Sequence, residues 1–189
     1  TKADAVILTH AGAESTVSCK TYVATLAALT YLGDLMCGEH HLTSMRGTVV
    51  ASMSGYLDRW EDHVAALLPL TKDVRDVFFA GRGASLAAAL TAGLIVKEST
   101  RVHAEGMSSA ALRHGPMEMA AAHVLALIYE GDTSVSALNQ SLVRDLARAG
   151  ARAHIVGASS DLEALRIDSA ASSAARPILA ILPAQMISI

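Results

Sequence analysis

"DVFFAGRGASLAAALTAGLIVKES", residues 76–99, contains the pattern that decides the fold. Its first six residues, Asp76 to Gly81, form a short apolar run that predicts a buried strand, and a longer run rich in small residues predicts a helix. The glycines at Gly81 and Gly83 mark the turn between the two elements. A strand that passes through a tight turn into a helix is the repeating unit of α/β folds with parallel sheets.

The same alternation continues toward the end of the chain. "HVLALIYEG" (123–131) predicts a second buried strand, a helix follows from about Ser134 to Ala149, and "RAHIVGA" (152–158) predicts a third strand. We therefore expect residues 73–189 to form a doubly wound α/β three-layer sandwich with a mainly parallel sheet.

The residues before this unit resemble the end of a similar one. Ala5 to Thr9 predicts a buried strand, and residues 15–36 predict a helix that a Ser or Thr caps at its start and Gly38 ends. We place the domain boundary before residue 73, so that residues 1–72 hold the end of a first domain and its connecting helices.

Two further segments lie between that first helix and the boundary. "GEHHLTSMRG" (38–47) predicts a polar connector. Residues 48–70 predict one long helix with Glu61, Asp62 and His63 on its solvent-exposed face. Cys37, Glu39, His40 and His41 together suggest a metal site. Adjacent histidines in an extended segment point in opposite directions, which favours a solvated connector over a metal site.

Composition excludes several classes of function. The chain has 189 residues with 15 Lys and Arg, 18 Asp and Glu, and a formal net charge of -3, and its basic residues do not cluster as in a nucleic-acid-binding surface. Its apolar runs are shorter than the roughly 20 residues that span a bilayer. Cys19 and Cys37 fit neither a disulfide framework nor a metal site. We expect a cytoplasmic protein with no nucleic-acid or membrane partner, no metal and no cofactor.

The glycine turn permits three interpretations. It could be a structural turn, an anion site for a sugar phosphate at the helix N-terminus, or a loose G-x-G-x-x-A dinucleotide motif with Glu105 as the ribose ligand. The polar stretch "KESTRVHAEGMSSAALRHGP" (97–116) is likewise either a solvated loop or a site. Its Glu98 and His114 lie 16 residues apart and, if brought together, could act as base and acid.

The order of these residues resembles a known family. "GRGASLAAALTAGLIVKESTRVHAEGMSSAALRHGP" (81–116) is similar to the second sugar-isomerase (SIS) domain of the isomerase half of glucosamine-6-phosphate synthase, of related amino-sugar-phosphate isomerase/deaminases and of fructosamine-6-phosphate deglycases. The shared elements are G-R-G, K-E, H-A-E and H-G-P in fixed order and spacing. "THAGAESTVSCKTYVATLAAL" (9–29) resembles the family segment that closes the first SIS domain, so the resemblance covers most of residues 7–131.

The resemblance implies roles for particular residues. Glu98 matches the family's general base, which moves a proton between C1 and C2 of the sugar phosphate, and His114 matches the histidine that opens the sugar ring in a neighbouring subunit. A homodimer is therefore implied. Val17 and Ser18 fall near positions that line the sugar site. Lys97 and Glu105 also match family positions, where we expect them to orient or pair with the catalytic groups.

The resemblance also predicts what this chain lacks. The family's phosphate-binding loop would precede Thr1, and its lysine-bearing tail would follow Ile189, so we expect the chain to be a fragment and do not predict glutamine-dependent synthesis. Two classes of function stay open beside the dinucleotide reading. One is a phosphosugar isomerase that acts on a phosphorylated amino sugar or ketosamine, with or without deamination or deglycation. The other is a sugar-phosphate-sensing SIS module without turnover.

Overall fold

The computed structural model of the protein describes residues 3–167 and 174–189, apart from the side chains of residues 41–45. The strands are β1 (Asp76–Gly81), β2 (His103–Ser108), β3 (Val124–Tyr129) and β4 (Arg152–Val156). The helices are α1 (Lys20–Cys37), α2 (His41–Leu57), α3 (Trp60–Thr71), α4 (Ser85–Thr100), α5 (Ser109–Arg113), α6 (Thr133–Arg148), α7 (Arg176–Ala180) and α8 (Leu182–Ile187). Short 3-10 turns occupy Pro116–Met119 and Glu163–Leu165.

The strands form one parallel sheet in the order β2-β1-β3-β4. β1 lies inside the sheet, with Asp76 opposite His103 on one side and Val124 on the other. The sequences of β1 and β3, apolar except for Asp76 at the start of β1, fit this position, because a strand inside a parallel sheet is covered on both faces. The predicted α/β class and parallel sheet are confirmed.

Successive residues of the strands enter two separate cores. Val77 and Phe79 of β1 pack into the larger core with side chains from α1–α4, α7 and α8. Phe78 and Ala80 pack into a second core with Leu112 of α5 and with residues of α6. Helices therefore cover both faces of the sheet, as the predicted three-layer sandwich requires.

Three predictions about the N-terminal region are wrong. Residues 5–9 form no strand, and Val6 and Leu8 are 75% and 67% exposed. An apolar run becomes a strand only beside another strand with which it can form hydrogen bonds. The polar connector is only Gly38 to His40, after which α2 begins at His41. The expected single long helix is two helices, α2 and α3, with a break at Asp58 and Arg59.

His63 is a further correction to the sequence analysis. We expected its side chain on the solvent-exposed face of a helix. It is buried instead, and its ring stacks on Tyr56 with the ring centroids 4.0 Å apart. Desolvation by burial, followed by the positive charge of Arg59, lowers the pKa of His63. The stacked pair therefore favours a neutral imidazole.

The structure also contains a strand that the sequence did not predict. β2, "HAEGMS", was part of the polar stretch considered as a loop or a site, and it forms the edge of the sheet beside β1. An edge strand borders solvent, so polar residues such as His103 and Glu105 fit there. A half of the chain expected to supply three strands therefore supplies four.

Candidate functional site

The start of α1 is built around Glu14. Its Oε1 accepts hydrogen bonds from the backbone N–H groups of Cys19, at 2.6 Å, and Lys20, and its Oε2 accepts one from that of Thr21, at 3.2 Å. The predicted Ser or Thr cap is therefore wrong, because this upstream carboxylate satisfies the free N–H groups instead. Hydrogen bonds from the Thr21 side chain and from these backbone groups lower the pKa of Glu14 to about 2.

Glu14 also holds Ser18, one of the residues that the resemblance implied for sugar binding. The Ser18 hydroxyl donates a hydrogen bond to Oε2 of Glu14 at 3.3 Å. Ser18 lies just before the first turn of α1, so this bond orients its side chain at the positive end of the helix.

Ser18 and Glu98 line the same pocket, between the start of α1 and the second half of α4. The pocket has a volume of about 260 Å³. Its lining residues are Ser18, Thr21, Tyr22, Thr25, Leu26, Thr91, Leu94, Ile95 and Glu98. The fold therefore joins the predicted base to one of the two predicted substrate-binding residues.

The lining of this pocket suits a hydroxylated ligand. It combines one carboxylate with the hydroxyls of Ser18, Thr21, Thr25 and Thr91 above aliphatic side chains. Hydroxyls both donate and accept hydrogen bonds, and a carboxylate accepts them or takes up a proton. Glu98 itself is exposed to solvent in this single chain. Such a pocket could bind a sugar and abstract a proton from it.

Two neighbours fix the position of α1 beside the pocket. Val17 is partly buried against the larger core and is not part of the lining, so its position supports the backbone around Ser18. Tyr22 lines the pocket and donates a hydrogen bond from its hydroxyl to the carbonyl of Pro177 at 3.1 Å. Burial raises the pKa of Tyr22, which keeps the hydroxyl protonated as a donor.

Lys97 and Glu105 pair with each other. Nζ of Lys97 lies 2.9 Å from Oε1 of Glu105, in an exposed ion pair that joins the last turn of α4 to β2. Nε2 of His103 lies 3.7 Å from the same oxygen. Neither Lys97 nor Glu105 lines the pocket of Glu98. The ion pair connects α4 to the sheet, and Lys97 is the residue next to Glu98 in α4.

His114 lies away from Glu98. It follows α5 as an exposed residue with φ -94° and ψ 19°, outside the helical region. α5 packs by Leu112 on the second core, whereas α4 packs on the larger core across the sheet. The two predicted catalytic residues are thus on opposite faces of the sheet and do not meet within one chain.

The glycine turn has a backbone explanation. A Cβ atom on Gly81 would lie 2.7 Å from the carbonyl oxygen of Ser85, and Gly83 has φ +57°, a conformation that favours glycine. Glu105, the residue proposed as a ribose ligand, is opposite Phe78 within the sheet and pairs with Lys97. These positions favour the structural interpretation of the turn.

Sequence reasoning missed most of the pocket lining. Thr21, Tyr22 and Thr25 follow Ser18 at helical spacing, and Thr91, Leu94 and Ile95 precede Glu98 in the same way. A search of the same helix face within one or two turns of each predicted residue would have found these lining residues. Across the described part of the chain, no three His, Cys, Asp or Glu side chains are grouped to hold a metal ion. None of the helices described is long and apolar enough to cross a bilayer.

Comparison with known proteins identifies similar chains. Two glutamine–fructose-6-phosphate aminotransferases (isomerizing) align with it: one from Thermococcus kodakarensis at 35% identity over 86% of this chain, and one from Methanothermobacter thermautotrophicus at 32% over 99%. The solved glucosamine-6-phosphate deaminase of Thermotoga maritima superposes with a TM-score of 0.78 at 20% identity, over 93% of this chain. No protein-family model matches the chain.

These relatives are much longer than the chain. It spans 28% and 33% of the two aminotransferases and 51% of the deaminase. The alignments to the aminotransferases identify homologous sequence, while the deaminase superposition shows a common fold.

Proposed function

Because the chain belongs to the SIS (sugar isomerase) domain family, we propose that it supplies part of the active site of a phosphosugar isomerase. The substrate class is a phosphorylated amino sugar or ketosamine. The observation that carries the proposal is the joint pocket of Ser18 and Glu98, which places a carboxylate beside the hydroxyls of one serine and three threonines.

The proposed reaction is a proton transfer between neighbouring carbons. Aldose–ketose isomerisation removes a proton next to a carbonyl and returns one to the adjacent carbon, which one positioned carboxylate can do. We assign this role to Glu98, and hydrogen bonding of the sugar hydroxyls to Ser18 and the threonines of the pocket. The same enolisation next to a C=N carbon would serve deamination or deglycation.

Ring opening requires a second acid–base group, which we assign to His114 of a neighbouring subunit. Histidine titrates near neutrality, so it can both donate and accept a proton there. The opposite placement of His114 and Glu98 across the sheet supports a homodimer, because a site that uses both residues has to combine two copies of the chain.

Solvent exchange tests the proton transfer directly. We would incubate fructose 6-phosphate and glucosamine 6-phosphate with the protein in D₂O and follow deuterium at C1 and C2 by NMR. The wild type should incorporate deuterium. Glu98→Gln should incorporate it at least about 100-fold more slowly, because a general base typically accelerates a reaction by that factor or more. Glu61→Gln, which changes an exposed glutamate on α3, is the matched control and should not alter the rate.

The outcomes separate the possible functions. Exchange that persists in Glu98→Gln would refute the assignment of the base. Binding of the sugar phosphates without exchange in the wild type would instead indicate a sensing module.

A further inference from the structure

The hydroxyl hydrogen of Ser18 is already used within the protein. It is donated to Oε2 of Glu14 at 3.3 Å. Glu14 is ionised at neutral pH, because hydrogen bonds from the Thr21 side chain and from backbone N–H groups lower its pKa to about 2. An ionised carboxylate can only accept hydrogen bonds, and a hydroxyl has a single hydrogen. The oxygen of Ser18 can therefore offer only its lone pairs to a ligand in the pocket.

Thr21 and Glu98 add further acceptors to the same pocket. The Thr21 side chain also hydrogen-bonds Glu14, and Thr21 lines the pocket beside Ser18. A threonine hydroxyl that donates to a carboxylate likewise has only lone pairs left for a ligand. The carboxylate of Glu98 offers its oxygens from the α4 side of the pocket. These three acceptors suit a ligand group that has several hydrogens to donate.

The charge of the pocket favours a cation over an anion. Among the residues that the structure describes, Glu98 is the one charged side chain in the lining. Two ammonium groups nearby have other partners. Nζ of Lys97 lies 2.9 Å from Oε1 of Glu105, and Nζ of Lys20 donates to the carbonyl of Ala13. Neither lysine lines the pocket, so the lining itself is negative.

The helix start beside Ser18 does not reverse this sign. The first N–H groups of a helix carry roughly half a positive charge and bind anions when they are free. Here the N–H groups of residues 19–21 already donate to Glu14, whose full negative charge exceeds that half charge. A phosphate group would therefore gain little at this end of the pocket. A cationic donor meets negative charge from both α1 and α4.

Amino sugar phosphates carry a donor of this kind. At neutral pH the amine of a 2-amino sugar is an ammonium group with three hydrogens, whereas a 2-hydroxy sugar has one hydrogen to donate there. We infer, on the basis of the proposed function, that Ser18, Thr21 and Glu98 bind the ammonium group on C2 of an amino sugar phosphate. Ser18 then contacts the nitrogen rather than a hydroxyl of the sugar. C2 is one of the two carbons between which Glu98 moves the proton, so one position of the ligand serves both contacts.

Calorimetric titration with two phosphosugars measures this selectivity. Glucosamine 6-phosphate and glucose 6-phosphate differ only in the group on C2. At pH 6.5 the amino sugar should bind at least about tenfold more tightly, because charge-assisted hydrogen bonds are roughly twice as strong as neutral ones. The ratio of affinities should fall toward one at pH 9, since such an amine loses its proton near pH 8, as an α-amino group does. Equal affinities at pH 6.5, or binding of neither ligand, would overturn the inference.

The change with pH has to come from the ligand and not from the protein. Burial raises the pKa of both Tyr22 and Cys19, so these groups stay largely protonated between pH 6.5 and pH 9. Glu14 is ionised over the whole interval. The proposed function adds His114 of a neighbouring subunit, and His114→Ala removes its titration. The fall of the ratio should persist in that variant, and its loss there would contradict the assignment to the ammonium group.

Two substitutions connect the selectivity to the contacts. Ser18→Ala removes one acceptor and should lower the ratio of affinities at pH 6.5 by about three- to tenfold. Glu14→Gln should lower it as well, because a glutamine amide can itself donate and so releases the hydrogen of Ser18. Glu39→Gln, at the other end of α1, is the matched control and should leave the ratio unchanged.

The ratio compares two ligands in one protein sample, so partial unfolding of a variant does not alter it. An unchanged ratio in both Ser18→Ala and Glu14→Gln would refute these contacts. Deuterium exchange on fructose 6-phosphate by the wild type, together with equal binding of the two sugars, would show that the proposed function holds and that the ammonium site does not.

Discussion

Gly93 of α4 and Gly106 of β2 bring their two elements into direct backbone contact. A Cβ atom on Gly93 would lie 2.7 Å from the carbonyl carbon of Glu105, and one on Gly106 would lie 2.5 Å from the Cα of Leu90. Contacts this short leave no room for a methyl group on either residue. The close approach sets the height of α4 above β2, where Lys97 reaches Glu105 and Glu98 faces the pocket of Ser18.

Gly106→Ala should therefore destabilise the fold. The added methyl group has to displace the backbone of α4, and overpacking of this kind costs about 1–3 kcal/mol in free energy of unfolding. Urea denaturation followed by circular dichroism measures the change. Gly55→Ala is the matched control, because Gly55 lies in α2 with open space around it and should gain about 0.5–1 kcal/mol. Equal effects of the two substitutions would contradict the contact.

Glu14 should make stability depend on pH. Hydrogen bonds from the Thr21 side chain and from backbone N–H groups lower its pKa from 4.5 to about 2, so its carboxylate stabilises the fold fully above pH 4.5. This stabilisation should be lost as the pH falls from about 4.5 through about 2. The difference in free energy of unfolding between the wild type and Glu14→Gln should shrink over the same interval.

The control for Glu14 is Glu39→Gln, at the opposite end of α1, where the residue is exposed. Its stability should follow that of the wild type across the same pH range. Denaturant titrations at several pH values measure both variants. A difference between wild type and Glu14→Gln that stays constant down to pH 2 would show that the carboxylate does not cap the helix.

Tyr56→Phe should destabilise the contact between α2 and the segment after β4. The buried hydroxyl of Tyr56 donates a hydrogen bond to the carbonyl of Ala164 at 2.6 Å. Its removal leaves that carbonyl without this donor and should cost about 1–3 kcal/mol in free energy of unfolding. Tyr31→Phe, at a residue 47% exposed, is the control and should stay within about 0.5 kcal/mol of the wild type. Thermal denaturation compares the two, and similar melting temperatures would contradict the role of the bond.

The success of the sequence predictions depended on how fully each element is buried. β1 and β3 are enclosed by the sheet and both layers of helices, so apart from Asp76 at the start of β1 their sequences are apolar, and they were predicted correctly. β2 is an edge strand with polar residues and a glycine, and no periodicity distinguishes it from a loop. Residues 5–9 have the composition of a strand but pair with no other strand in the described sheet.

Only part of the candidate site could be predicted from the sequence. Resemblance pointed to Ser18 and Glu98, and the fold joins them in one pocket. The cap by Glu14 could not be predicted, because it depends on the loop that folds back onto α1. The boundary before residue 73 stays a prediction; α2 and α3 pack into the same core as α4, so burial alone does not mark it.

Mixing two inactive variants should restore activity if the site combines Glu98 of one subunit with His114 of another. Glu98→Gln and His114→Ala should each abolish most of the deuterium exchange at C1 and C2. When the two are co-expressed in equal amounts, half of the dimers are mixed and each contains one site with both residues intact, so about a quarter of the wild-type rate should return. Glu98→Gln co-expressed with the double variant Glu98→Gln/His114→Ala is the control and should stay inactive, because no dimer then holds an intact pair. If the first mixture also stays inactive although size-exclusion chromatography shows dimers, the two residues do not share a site.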